Sequence, residues 1–165
     1  MSDSNGKNAP TLHYAYVHLG LRSFIFKEQE FFTKVFYAGP RNMSGFLRQF
    51  WDNLREDHQE LNERDIEVLE DDFSLSVSKL TNGEDLLLIK LPRPNNSPEA
   101  FYIGVVISKG LRYFTLELGK DIFNGNSDTF VVCEWKEDGQ HMNYGEISEM
   151  RPGLFAGRID EIVKG

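Results

Sequence analysis

A single cysteine, Cys133, serves a chain of 165 residues. No internal disulfide can form, so the fold must be held by its core, and a reducing, cytoplasmic compartment is expected. Long apolar runs are also missing. No stretch approaches the roughly 18 residues a membrane helix needs. The opening MSDSNGKNAP lacks the basic and apolar segments of a signal peptide. Basic residues are the minority, with 18 Lys and Arg against 26 Asp and Glu and a net charge of −8. That balance argues against nucleic acid and anionic membrane as partners; it leaves basic proteins or cations, and acidity is also a common way to stay soluble. HExxH, CxxC, GxSxG and GxGxxG are all absent. Zincins, dithiol redox enzymes, α/β-hydrolases and dinucleotide folds are therefore disfavoured, and no metal or cofactor is expected. Cys133 sits beside Val131 and Val132, which suits a small buried hydrophobe better than a nucleophile.

What the chain has in quantity is aromatic side chains, 13 Phe, 6 Tyr and 2 Trp, which predicts an aromatic-rich core. Its length suits a single domain over 11–165 behind a disordered tail over 1–10. The organising stretch is 100–146. Three apolar runs there, 100–108, 112–118 and 129–136, are separated by the turn pair Lys109-Gly110 and a Gly/Asn/Asp/Ser-rich loop over 119–128. The second and third alternate with period two. Asp138-Gly139 then signals a two-residue hairpin into a strand near 141–147. Upstream, 73–80 alternates Phe73, Leu75 and Val77 against Ser74, Ser76 and Ser78. Asn82-Gly83 turns it into the apolar LLLIKL of 86–91, which reads as a central strand. The proline-rich 92–99 forms a semi-rigid loop.

Helices flank these strands. Phe31, Phe32, Val35 and Phe36 recur at helical spacing within 28–37, and Gly39-Pro40 ends that helix. Phe46, Leu47, Phe50, Trp51 and Leu54 form the apolar stripe of a helix capped by Ser44. Phe155, Ile159, Ile162 and Val163 give a last helix over 154–164. Residues 12–19 read as a strand, and 21–26 as a second strand or a helix start. The class expected is α+β: an antiparallel sheet of five to six strands, paired by adjacency, with N-terminal helices and a C-terminal helix on one face. Ser74, Ser76 and Ser78, then Thr115 and Glu117, suggest that the other face is partly wet.

Four places carry candidate chemistry. Glu117, Glu134 and His141 lie on neighbouring strands; on a shared face they could act as acid and base. The alternative is structural, with Glu134 or Glu117 paired to Arg112 or Lys136. The hairpin DGQHMNYGE offers His141, Asn143 and Tyr144 as a binding rim, or simply a turn with unusual angles at Asn143 and Gly145. AGPRNMSG, 38–45, reads as a connection into a helix N-terminus with Arg41, an anion site or a plain linker. The acidic stretch 56–72, with Glu60, Glu63, Asp65, Glu67, Glu70, Asp71 and Asp72 offset only by Arg64, reads as a solvated connection or a docking surface.

Two functions fit. One is a small acidic binding module acting by protein–protein contact, similar in class to immunity- or chaperone-type proteins by analogy alone. The other is a ligand-binding or hydrolytic enzyme using Glu117, Glu134 and His141 on the exposed sheet face. A homodimer through a sheet edge or that face is compatible with either.

Overall fold

Six short β-prone segments, each tied to the next by a turn or loop, give a sheet whose strands follow one another in chain order. In the computed structural model they are β1 (Ser74–Lys79), β2 (Asp85–Pro92), β3 (Ala100–Val106), β4 (Arg112–Leu118), β5 (Phe130–Trp135) and β6 (His141–Ile147), ordered β1-β2-β3-β4-β5-β6. Pairing is antiparallel, with Val77 opposite Leu87, Gly104 opposite Phe114 and Thr115 opposite Cys133. Three helices precede the sheet, α1 (Pro10–Lys27), α2 (Gln29–Ala38) and α3 (Pro40–Asp57), and α4 (Pro152–Lys164) follows it. The architecture is α+β, as the patterning implies. The structure describes residues 10–57, 73–92, 100–107, 109–118 and 130–165. The expected N-terminal tail, the proline-rich loop over 93–99 and the loop over 119–128 lie outside the described residues. The chain falls into two units, a helical one (1–73 and 91–98) and a sheet one (74–90 and 99–165).

In the helical unit the core is aromatic. Phe46 is its hub, with ring centroids 4.8 Å from Phe24, 5.4 Å from Phe32 and 5.7 Å from Phe31. All five residues of the α3 stripe are buried. Two sequence expectations need correction here. Residues 12–26 lie in one helix, which overturns the strand over 12–19 and decides 21–26 for helix, though the helix starts at Pro10. Val17, Leu21 and Ile25, one turn apart, are all buried, and packing along that stripe overrides the local β preference of Tyr and Val. Helix α3 begins at Pro40, not Ser44. Gly39 alone, at φ +126°, makes the connection, and its carbonyl accepts from the Asn42 and Met43 N–H groups. Proline suits a first helical position, where no N–H is needed.

In the sheet unit, α4 packs on one face. Phe155 and Ile159 are fully buried among Leu86, Leu88, Tyr102, Val106, Phe114, Leu116 and Val132. The approach is close. A Cβ at position 104 would stand 2.7 Å from Ile159 Cδ1, so glycine there lets the helix down onto β3. Residues on either side of Ile159 reach outward. Asp160 accepts from Thr81 N–H at 2.9 Å and Oγ1 at 3.0 Å in the β1–β2 turn. Arg158 donates to the Tyr144 and Glu146 carbonyls of β6 at 3.0 and 3.3 Å.

The opposite face is wet only toward its edges, where Val77, His141 and Asn143 are exposed; its centre is buried. Thr115 is fully buried, Glu117 is 6% exposed, and Leu87, Ile89, Phe101, Ile103 and Val105 are buried beside them. At that centre the polar side chains are partnered: Thr115 donates to Glu117 at 2.7 Å, and buried Asp85 pairs with Lys79 at 2.8 Å. The inward assignment of Val77 fails as well. β1 is an edge strand, and Val77 is 53% exposed. Both hairpin turns prove three residues long, not two. Leu80 N–H bonds Glu84 O and Lys136 N–H bonds Gln140 O. Gly83 (φ +89°) and Gly139 (φ +94°) take the left-handed third position of each loop.

Ile159→Ala should lower unfolding free energy by about 2–5 kcal/mol. Gly104→Ala and Ile159→Val should be less costly together than the sum of their separate losses, because the shorter side chain vacates the space the new methyl needs. Urea denaturation of the four-protein cycle measures this; strict additivity would rule out the contact.

Candidate functional site

Alternation decides which candidate residues meet. Glu117 lies opposite Val131 and Glu134 opposite Phe114. Residues an odd number apart on one strand point to opposite faces, so the two carboxylates lie on different sides of the sheet. His141 pairs with Trp135, on the Glu117 side. Yet Glu117 is level with Val131, four residues from Trp135 along β5, roughly 13 Å at strand rise. The triad of Glu117, Glu134 and His141 is not assembled, because the register separates its members by face and by distance.

Each carboxylate is instead held by neighbours. Arg112 donates from Nε and Nη2 to the two Glu134 oxygens, both at 2.8 Å, and the Tyr144 hydroxyl donates to Oε1 at 3.1 Å. This is the Arg112 pairing that strand neighbours invite. The hydrogen bond to Glu134 raises the guanidinium pKa, and burial followed by the Glu134 charge raises that of the Tyr144 phenol. On the other face Thr115 Oγ1 donates to Glu117 Oε2 at 2.7 Å and accepts from Trp135 Nε1 at 2.7 Å. Trp135 in turn stacks on His141 at 4.5 Å. Cys133 is buried on this face; burial first, and the Glu117 charge second, push its thiol to about 12. A thiol at that value is not a nucleophile near neutral pH.

The hairpin candidates divide. His141 and Asn143 are exposed, whereas Tyr144 is half-buried and tied to Glu134. Asn143 Oδ1 accepts from the Gly145 N–H at 2.7 Å, and Gly145 takes φ +94°. The segment 38–45 is not a loop: only Gly39 stands outside a helix, and Arg41 is exposed in the first turn of α3. His18 is buried within α1. The acidic candidates Glu60, Glu63, Asp65, Glu67, Glu70, Asp71 and Asp72 lie outside the described residues. Among the described residues, no three His, Cys, Asp or Glu side chains gather in a metal-binding cluster.

One feature escaped the sequence reading. A groove of about 510 Å³ opens between α2 and α3, with Phe31, Val35 and Phe46 as its apolar lining and Lys34, Asn42 and Gln49 as its polar part. Phe31 falls on the apolar face of α2 by spacing, yet it is 49% exposed. The available signal was the pair of small residues Ala38 and Gly45, which leave the groove unfilled. Comparison with protein-family models, curated proteins and solved structures finds no match to this chain.

At pH 8 a maleimide should label Cys133 only on unfolding, measured by mass spectrometry across a urea series; rapid labelling of folded protein would contradict its burial. The stability tied to the raised thiol pKa is fully present below about 9 and is lost as pH climbs toward 12. Arg112→Met, which leaves Glu134 with Tyr144 alone, should cost about 1–3 kcal/mol; an unchanged urea midpoint would show the pair to be idle.

Proposed function

We propose that this protein is a cytoplasmic binding module that docks a basic protein through its acidic segment, residues 56–72. One observation carries the reading. Nine of the 26 acidic residues and one of the 18 basic ones fall in those 17 residues, which leaves 17 of each in the rest of the chain. The whole excess charge of −8 is thus concentrated in about a tenth of the sequence. General solubility needs only scattered charge. A concentrated run creates a local field that attracts and orients an oppositely charged surface.

The described residues supply the approach to the segment. Helix α3 ends at Asp57 with Asp52 and Glu56 exposed on its last turns. The α2–α3 groove, with half-exposed Phe31, gives the helical unit an apolar foothold in addition to charge. Apolar contact supplies affinity, while the charges govern association rate and partner choice. No described constellation favours the hydrolytic reading, since Glu117 and Glu134 face apart and are spent on structural hydrogen bonds.

The test is comparative capture from native lysate. One bait is the intact chain. The other carries Glu60, Glu63, Glu67 and Glu70 changed to Gln and Asp65, Asp71 and Asp72 changed to Asn. A basic partner should be retained by the first, lost by the second, and released from the first as salt rises through the range where the screening length shrinks below about 8 Å. Equal capture by both baits, with both equally folded by circular dichroism, would remove the acidic segment from the function.

A further inference from the structure

We infer that Asn82 is a modification site gated by the fold. The β1–β2 turn restrains its side-chain amide from spontaneous deamidation, and once the turn has opened and the amide is lost, Glu84 opposes the return of the turn.

An Asn-Gly pair is chemically weak because glycine puts no side chain in the way of its own nitrogen. The chain has such pairs at 5–6, 82–83 and 124–125, and the one at 82–83 lies among the described residues. The step needs only water and base. The Gly83 backbone nitrogen gives its proton to hydroxide and attacks Cγ of Asn82. An N–Cγ bond forms, the Cγ–Nδ2 bond breaks, and Nδ2 leaves as ammonia with a proton from water. The resulting five-membered imide takes up one water at either carbonyl. Position 82 becomes aspartyl, or isoaspartyl with the main chain routed through Cβ. Nothing is oxidised or reduced.

Thr81, Asn82 and Gly83 are exposed, so water is at hand. What the turn withholds is freedom of the reacting groups. The Gly83 N–H donates to Leu80 O at 2.9 Å, which favours the protonated nitrogen that cannot attack. Asn82 Oδ1 accepts from the Glu84 N–H at 3.0 Å, and Nδ2 donates to Glu84 Oε2 at 2.8 Å. The proton that must leave, and the amide that must turn and lose its nitrogen, are each engaged. Glu84 is anchored in its turn: it is buried, and Oε1 accepts from the Lys109 N–H at 3.2 Å. Thr81, on the other side, is tied to Asp160 of α4 through its N–H and its hydroxyl. Reaction therefore waits for the turn to open.

The product does not fit back. Hydrolysis puts an oxygen where Nδ2 stood, 2.8 Å from Glu84 Oε2. A donor is lost, and two carboxylates meet where Glu84 is shielded from water. The isoaspartyl form also lengthens the main chain of a three-residue loop. The β5–β6 turn is the counterpart. It repeats the same bonding: Asp138 Oδ1 accepts from the Gln140 N–H at 2.9 Å, and the Gly139 N–H donates to Lys136 O at 3.0 Å. Aspartate serves there, because the residue two places on is exposed Gln140 rather than a buried carboxylate. The need for an amide at 82 thus comes from Glu84 and not from the turn itself.

The test incubates the intact chain in mildly alkaline buffer, folded or unfolded in urea, and follows loss of the Asn82 amide by peptide mass spectrometry. Asn82 should react at least about tenfold more slowly in the folded protein than in urea. A second arm reads the folding equilibrium from urea denaturation. Asn82→Asp should lower the folding constant by at least about tenfold, and the same change made in a Glu84→Gln background should cost much less. Asp138→Asn, the reverse exchange in the other turn, should leave stability nearly unchanged. Equal rates of amide loss in the folded and unfolded chains would overturn the gating. An Asn82→Asp variant as stable as the intact chain, or a loss that Glu84→Gln does not relieve, would rule out the part given to Glu84.

Discussion

Helix α4 crosses the sheet with Ile159 set against the backbone of Gly104, and much of the sheet unit depends on that contact. Successive helical residues are turned by about 100°. Once Ile159 points down, Arg158 and Asp160 must point to opposite flanks. One then reaches β6 and the other the β1–β2 turn. The burial of one side chain therefore fixes three attachments, at the middle and near both edges of a six-stranded sheet. A bulkier residue at 104 would lift the helix and loosen all of them together.

The same sheet shows how a polar group can be present without being available. Glu134 spends its oxygens on Arg112 and Tyr144, and Glu117 takes the Thr115 hydroxyl. Both arrangements follow from cross-strand neighbours: Arg112 and Glu134 share a face on adjacent strands, and Thr115 lies two residues from Glu117 on its own. A buried carboxylate left without such partners would cost several kcal/mol. The hydrogen bonds that make these acids tolerable also remove them from chemistry.

Much of the architecture was legible because period-two alternation and glycine turns are local signals. Val131 and Cys133 against Val132 and Glu134, with Gly139 in the following turn, announce a strand and its return. Adjacency then orders the sheet. Helix α1 was not legible, because Tyr14, Tyr16 and Val17 favour strands locally and only burial of Val17, Leu21 and Ile25 decides for a helix. The site was harder still. Whether Glu117 and Glu134 share a face depends on the loop joining their strands, and a shift of one residue inverts the answer. The α2–α3 groove was easy to miss for a related reason: spacing tells that Phe31 belongs to an apolar face, and only the small size of Ala38 and Gly45 hints that nothing closes over it.

Arg158 has a consequence beyond fastening a helix. A sheet with two bare edges can add neighbours at both ends, and identical chains then grow without limit into fibrous stacks. With the Tyr144 and Glu146 carbonyls taken, a strand laid along that end of β6 would find acceptors already engaged. One guanidinium group thus makes that end of the edge a poorer template for an added strand.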